Sequence, residues 1–132
     1  MDMQFNDDRE LVLFLKPDKK KDKNTLNLAK QVSAHIRDVD VMRENLTATK
    51  IIEILQILNL KPQDLIDKES DIYMKEYEGK DLDEDSWVKA MANFPELIRT
   101  PIAFLGKRGM VVETPSNVLK LDPNEGYNSL KE

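Results

Sequence analysis

The pattern of apolar and polar residues in the first third of the chain predicts a strand, a helix and a second strand. Residues 11–15 are five consecutive apolar residues followed by Lys16 and Pro17, a pattern typical of a strand buried on both faces of a sheet. Apolar residues recur with helical spacing in residues 24–33 and predict a helix there. Residues 35–41 alternate imperfectly between apolar and charged side chains, which indicates an edge strand. Together these elements form the start of an α/β fold.

The middle of the chain has the periodicity of helices. Thr47 or Thr49 can cap a helix that carries an unusually wide apolar stripe. The stripe consists of Ile51, Ile52, Ile54, Leu55, Ile57 and Leu58. A stripe this wide requires a large packing partner. We predict a further turn from Pro62, a short helix over residues 71–77 and a helix from Asp83 to Asn93.

The last third of the chain has the signals of a hairpin followed by a helix. Two short apolar runs, residues 102–105 and 110–112, flank a link that contains Gly106 and Gly109. Thr114, Pro115 and Ser116 then supply a cap residue and a proline at the first helical position, so we predict a final helix to Leu119 or Leu121.

Length and charge limit the classes of protein that fit. A chain of 132 residues is long enough for one domain, with a core over about residues 10–121 and a mobile tail over residues 122–132. The net charge of −5 argues against a general nucleic-acid binder. The sequence begins MDMQFNDDRE, without a basic or apolar leader, and no stretch is apolar enough to span a membrane. We therefore expect a cytoplasmic protein with no membrane partner.

Three segments carry a resemblance to a known family. They are Asn24-Thr25-Leu26, the stretch FPELIRTP over residues 94–101, and Thr114-Pro115-Ser116. In order and spacing they resemble the arsenate reductase (ArsC) and Spx-like branch of the thioredoxin fold, over residues 11–123. The resemblance implies a thioredoxin-like α/β fold, with a small mixed sheet of about four strands flanked by helices and a helical insert. It also implies a cis peptide bond between Thr100 and Pro101.

The resemblance places the family's redox chemistry in the loop after the first strand, but the chain contains no cysteine. In arsenate reductases a nucleophilic cysteine lies two residues after a proline that Pro17 matches, and Lys19 occupies that position. In Spx-like regulators a second cysteine follows three residues later, and Asp22 occupies that position. A protonated lysine is not a soft nucleophile. We therefore expect no catalytic residue and no cofactor.

The positions that the resemblance assigns to anion-binding arginines are also changed. They fall on Asp67, Thr100 and Thr114, none of which carries a positive charge. Arg99 is one residue away from Thr100, but a one-residue slip in extended backbone turns a side chain to the opposite face.

Other chemistries find little support. His35 is the only histidine and has no partner at metal-ligand spacing, so no metal site is expected. Two functions remain. The first is a non-catalytic binding or regulatory module, which the absence of cysteine favours. The alternative is an arsenate reductase-like or glutathione- or thiol-dependent oxidoreductase with an altered active site.

A dense group of lysines stands where the family has its active loop. Lys16, Lys19, Lys20, Lys21 and Lys23 lie within eight residues of an otherwise acidic chain. A solvated loop is one interpretation. The other is a binding site for an acidic protein surface or a phosphate-bearing ligand, to which the resemblance adds Thr100 and Pro101.

Overall fold

The computed structural model of the chain describes residues 9–122. The chain divides into two compact units. Met1–Asp40 and Thr100–Glu132 form the first unit, and Val41–Arg99 forms the second. That these units make up one domain stays a prediction. Of the predicted tail over residues 122–132, residues 123–132 lie outside the described residues.

The first unit is built on a four-stranded mixed sheet in the order β2-β1-β3-β4. The strands are β1 (Glu10–Leu15), β2 (His35–Asp40), β3 (Ile102–Leu105) and β4 (Arg108–Val111). β1 pairs in parallel with β2 and antiparallel with β3, which pairs antiparallel with β4. This arrangement confirms the predicted α/β class, the buried first strand and the edge position of the second.

The apolar run of β1 is buried on both faces of the sheet. Leu11, Leu13 and Leu15 belong to a cluster that includes Ala29 of helix α1 (Lys20–Ala29) and Val118 of the 3₁₀ helix Pro115–Leu121. On the other face the rings of Phe14 and Phe104 pack edge to face, with centroids 5.8 Å apart. All five residues of the predicted strand are at most 4% exposed.

The hairpin of the first unit is tighter than predicted. Leu105 pairs directly with Arg108, so the loop is only Gly106 and Lys107. Gly106 has a φ of 63°, which suits the first central position of a type II′ turn and explains why glycine stands there. The predicted link therefore extends too far, because Arg108 and Gly109 pair within β4.

Helix α1 begins earlier than the sequence pattern predicts. It covers Lys20–Ala29 rather than residues 24–33, so the predicted start is four residues too late. Lysine is a good helix former, and the absence of apolar spacing in this segment hid the first helical turn.

The second unit is mainly helical. Its two α-helices are α2 (Ala48–Leu58) and α3 (Glu84–Asn93), which pack on each other. Three shorter helical turns cover Pro62–Leu65, Tyr73–Tyr77 and Pro95–Leu97, the second of them a π-helical turn. An antiparallel bridge between Ile66 and Ile98 joins the segments around them.

Side-chain hydrogen bonds cap the starts of both helices, and a left-handed residue ends α2. The Thr47 hydroxyl accepts from the Lys50 backbone N–H at 3.1 Å, so Thr47, not Thr49, caps α2. Asn59 ends α2 in the left-handed region with a φ of 55°, where asparagine is tolerated. Asp83 caps α3 by accepting from the Ser86 backbone N–H at 2.7 Å.

No helix among residues 9–122 is both long enough and apolar enough to cross a membrane.

Candidate functional site

The loop after β1 and the segment before β3 meet at one edge of the sheet. Phe14 pairs with Ile102 in antiparallel register, so the chain that leaves β1 passes the residues before β3, Thr100 and Pro101. The Val112 backbone N–H donates to the Pro101 carbonyl at 2.8 Å, which brings the end of the hairpin to the same edge. The peptide bond between Thr100 and Pro101 is cis, as predicted.

The loop that starts at this edge is a short turn leading into α1. The Lys19 backbone N–H donates to the Lys16 carbonyl at 3.0 Å. Lys19 is the N-cap residue of α1, and its side chain makes no capping hydrogen bond. An N-cap residue normally supplies an oxygen acceptor, which lysine lacks. The Lys19 side chain therefore does not cap α1.

Asp22, in the first turn of the helix, binds the chain that precedes α1 rather than the free N–H groups of α1 itself. One oxygen of its carboxylate, Oδ2, accepts from the backbone N–H of Lys16 at 2.7 Å. The side chain is completely buried, and Oδ1 has no hydrogen-bond partner. A negative charge is favoured at a helix N-terminus because the backbone N–H groups there carry partial positive charge. The first turn of α1 thus contains a buried carboxylate of the chain itself.

The buried face of α1 determines where its lysines point. Asp22, Thr25 and Ala29 are buried, and the Thr25 hydroxyl donates to the Lys21 carbonyl at 2.8 Å. These three residues lie on one side of the helix. The exposed lysines among residues 16–30 are Lys19, Lys20, Lys21, Lys23 and Lys30. We call Lys20, Lys21, Lys23 and Lys30 the lysine surface.

The lysine surface lies in a basic part of an acidic chain. Residues 9–40 and 100–122 contain eleven basic and seven acidic residues, a net charge of +4, although the whole chain carries −5. Lys16 differs from the other four lysines of the predicted group because it is only 6% exposed. The predicted group of five lysines therefore divides into one buried and four exposed residues.

The two other predicted site residues, Thr100 and Pro101, are buried. Thr100 is 5% exposed, and its hydroxyl oxygen has no hydrogen-bond partner. Of the predicted site residues, only the lysines Lys19, Lys20, Lys21 and Lys23 are therefore exposed to a partner. That the predicted site residues bind a ligand stays a prediction.

None of the positions that the resemblance assigns to anion-binding arginines supplies a positive charge. Thr114 is exposed, and its backbone N–H donates to Asn117 Oδ1 at 3.0 Å. Asp67 belongs to the second unit and accepts from the Glu69 backbone N–H. Arg99, the nearest candidate substitute in the sequence, donates from Nη1 to the Asp64 carbonyl at 2.8 Å.

The sequence pattern missed the role of Asp22 because it placed the start of the helix four residues too late. With α1 starting at Lys20, Asp22 stands at the third helical position, where acidic residues commonly interact with the helix start. The signal available in the sequence was that Asp22 is the single acidic residue in residues 20–23, where the other three residues are lysines.

A sequence model of the ArsC family matches residues 19–121. The match covers most of the chain, which therefore belongs to the ArsC family. A search of curated protein sequences gave no significant match. The predicted likeness to the Spx-like regulators stays a prediction.

Solved structures agree with this assignment. A candidate arsenate reductase from Yersinia pestis is 25% identical with a TM-score of 0.76, over 83% of this chain and 98% of that one. An arsenate reductase from Vibrio cholerae is 21% identical with a TM-score of 0.79, over 86% of this chain and 98% of that one. An arsenate reductase (ArsC) related protein from Brucella melitensis is 17% identical with a TM-score of 0.63, over 82% and 90% of the two chains. These similarities establish the thioredoxin-like fold.

Proposed function

We propose that this ArsC-family protein is a non-catalytic binding module, and that its lysine surface contacts an acidic surface of a partner protein. The observation that carries the proposal is the buried Asp22 carboxylate in the first turn of α1, a helix whose lysines are exposed, in a chain without cysteine. A cytoplasmic location belongs to the same proposal.

The loss of thiol chemistry supports a role other than catalysis. The family's reaction, as the resemblance describes it, needs a thiolate that the helix N-terminus stabilises. Lys19 occupies the position of the nucleophile, and Asp22 occupies that of the second cysteine in Spx-like relatives. A buried carboxylate there opposes both a neighbouring thiolate and a bound oxyanion, because like charges repel at short range.

The arrangement of the lysines favours an extended acidic surface over a single phosphate group. Lys20 and Lys30 are ten residues apart, which is roughly 15 Å along a helix axis. One phosphate group cannot contact both ends of such a surface. The Asp22 carboxylate in the first turn of α1 also disfavours a phosphate at the helix N-terminus, because like charges repel. Exposed ammonium groups act mainly by long-range attraction, so binding should weaken as salt rises.

The direct test uses an oligoglutamate peptide and inorganic phosphate as probes of the ¹⁵N-labelled protein. We expect the peptide to shift the amide resonances of α1 saturably at low salt, and phosphate to produce no saturable shift. The triple variant Lys20→Glu, Lys21→Glu, Lys23→Glu should weaken peptide binding by about tenfold or more. Glutamates in the first turn of a helix are favourable, so this variant should fold.

The matched control makes the same change in net charge elsewhere. Lys68, Lys75 and Lys107 are exposed and lie outside α1, so the variant Lys68→Glu, Lys75→Glu, Lys107→Glu should bind the peptide almost as well as the natural chain. Equal loss in both variants would mean that net charge alone governs binding. That result, or saturable binding of phosphate at the start of α1, would refute the proposed role of the lysine surface.

The alternative function is an altered arsenate reductase or thiol-dependent oxidoreductase. Family membership and the names of the similar structures favour it. It requires a reaction without a protein thiol. Arsenate-dependent turnover in an assay coupled to glutathione or thioredoxin would support this alternative, and we expect no turnover.

A further inference from the structure

The second unit contains an open groove that is separate from the lysine surface. It lies between the C-terminal half of α2 and the start of α3 and has a volume of about 410 Å³. This volume falls within the roughly 300–1,000 Å³ typical of ligand-binding clefts. Its apolar lining consists of Ile52, Leu55, Leu60, Pro62 and Val88. We call this feature the insert groove.

The apolar lining extends from the core of the unit to its surface. Leu55 and Val88 are 5% and 3% exposed, so they form a fixed floor. Ile52 is 42% exposed although it belongs to the wide apolar stripe of α2. Packing within the unit covers Ile51, Ile54 and Leu55 but not Ile52. An exposed isoleucine beside an apolar floor is a typical contact for an apolar side chain of a partner.

The rim of the insert groove is negatively charged. Glu84 and Asp85 in the first turn of α3 line it, and Asp85 pairs with Lys89 at 3.0 Å on the exposed face of α3. The last turn of α2 has no basic residue, so its C-terminal carbonyl groups add partial negative charge. The whole second unit contains eight basic and thirteen acidic residues, a net charge of −5. The field at the groove therefore favours a basic ligand.

Two amide side chains complete the lining. Gln56 and Asn59 are exposed at the groove, and each offers both a donor and an acceptor. Such groups can hydrogen-bond the main chain of a bound peptide. The left-handed backbone of Asn59 fixes the position of its side chain at the end of α2.

We propose that the insert groove binds a short segment of a partner protein in which one or two apolar side chains stand next to Lys or Arg. The apolar side chains occupy the floor beside Ile52, and the basic group faces Glu84 and Asp85. The proposal does not depend on the function assigned to the lysine surface.

A second copy of the chain is a poorer occupant. The large apolar side chains that are exposed among residues 9–122 are Met42, Ile52, Met74 and Phe94. All four belong to the acidic second unit. Inserting any of them into the groove of another copy would bring two units of net negative charge together.

The test uses three short synthetic peptides of equal length as probes in NMR titrations of the ¹⁵N-labelled full chain. The first peptide contains leucines and lysines, the second has glutamate in place of lysine, and the third has serine in place of leucine. We expect only the first to shift the amides of Ile52, Asn59 and Val88 saturably. Equal binding of all three peptides, or shifts outside the insert groove alone, would overturn the proposal.

Two variants locate the binding energy, each with a matched control in the same unit. The variant Glu84→Gln, Asp85→Asn should weaken binding of the first peptide by about tenfold, because it removes the charges of the rim. The control Glu76→Gln, Glu78→Gln changes the net charge equally at exposed positions outside the groove and should leave binding unchanged.

The second pair of variants tests the apolar contact. Ile52→Ser should weaken binding, whereas Met74→Ser, which changes a side chain of similar exposure outside the groove, should not. Unchanged affinity in both groove variants would refute the site. A second copy would be identified as the occupant by two results together. The same amides would shift with protein concentration in the absence of peptide, and sedimentation analysis would show a dimer. This outcome would refute our choice of partner.

Discussion

The carboxylate of Asp22 accepts a hydrogen bond at 2.7 Å from the backbone N–H of Lys16, six positions earlier in the chain. This contact closes the loop that follows β1 and places a buried negative charge at the start of α1. The segment that carries the exposed lysines therefore also contains a buried carboxylate. The first prediction tests this contact.

Replacing Asp22 by alanine should destabilise the protein by about 1–3 kcal/mol, because it leaves a buried backbone N–H without a partner. Asp22→Asn keeps an oxygen acceptor and should lose less. Asp18→Ala is the matched control, since Asp18 is exposed in the same loop, and its effect should stay within about 0.5 kcal/mol. Urea unfolding of the three variants measures these differences. Equal stability of Asp22→Ala and Asp18→Ala would contradict the structural role of Asp22.

The capping of α2 gives a second prediction. Thr47→Ala should lower the free energy of unfolding by about 1 kcal/mol, because the first turn of α2 loses the acceptor for the Lys50 backbone N–H. Thr49→Ala should leave stability unchanged or slightly raised, since Thr49 is an exposed helical residue and alanine is the better helix former. Chemical denaturation can compare the two variants. The reverse order of stability would mean that the cap has been assigned to the wrong threonine.

Asp83 should make the free energy of unfolding of the second unit depend on pH in the acidic range. Hydrogen bonding to the side chain and then to the backbone N–H of Ser86 lowers the pKa of Asp83 below the ordinary aspartate value. A carboxyl group with a lowered pKa contributes stability above its unfolded-state pKa and loses that contribution as pH falls through the folded-state value.

The variant Asp83→Asn keeps a capping oxygen but cannot titrate. The urea midpoint of the natural chain should therefore exceed that of the variant at neutral pH, and the difference should shrink below about pH 4, the ordinary range of an aspartate pKa. Asp81→Asn is the control, because Asp81 is exposed and precedes the cap. A constant difference between Asp83→Asn and the natural chain across this pH range would show that the charge of Asp83 does not stabilise α3.

Restoring one cysteine should not restore the family's reaction. We expect Lys19→Cys to show no arsenate-dependent turnover, because Asp67, Thr100 and Thr114 supply no positive charge for the anion. Asp22 should also raise the pKa of the new thiol, since a nearby negative charge disfavours a thiolate. Alkylation rates measured as a function of pH give the thiol pKa of each variant. This pKa should be lower in the double variant Lys19→Cys/Asp22→Asn than in the single variant Lys19→Cys. Turnover by the single variant would show that those positions are not required.

The parts of the fold that depend on local sequence were predictable. Residues 11–15 predicted a buried strand because five consecutive apolar residues suit a strand covered on both faces and are too few for a core helix. The ArsC-family resemblance rested on short segments such as FPELIRTP, and the match to residues 19–121 confirms it. The cis bond before Pro101 followed from the same resemblance.

The parts that depend on tertiary contacts were not predictable. The start of α1 is stabilised by Asp22 through Lys16, a residue outside the helix, so no local capping signal marked it. The wide stripe of α2 predicted a large packing partner, but the sequence could not show that Ile52 would stay exposed. Nor could it show that Glu84 and Asp85 would line a groove with Ile52, because the packing of α3 on α2 determines that arrangement.

The central claim is that the start of α1 no longer binds an oxyanion. The most direct measurement is a titration of the ¹⁵N-labelled chain with arsenate, followed at the amides of Lys19, Lys20 and Lys21. We predict no saturable shift in the natural chain. Saturable arsenate binding at these amides with Asp22 in place would contradict the claim.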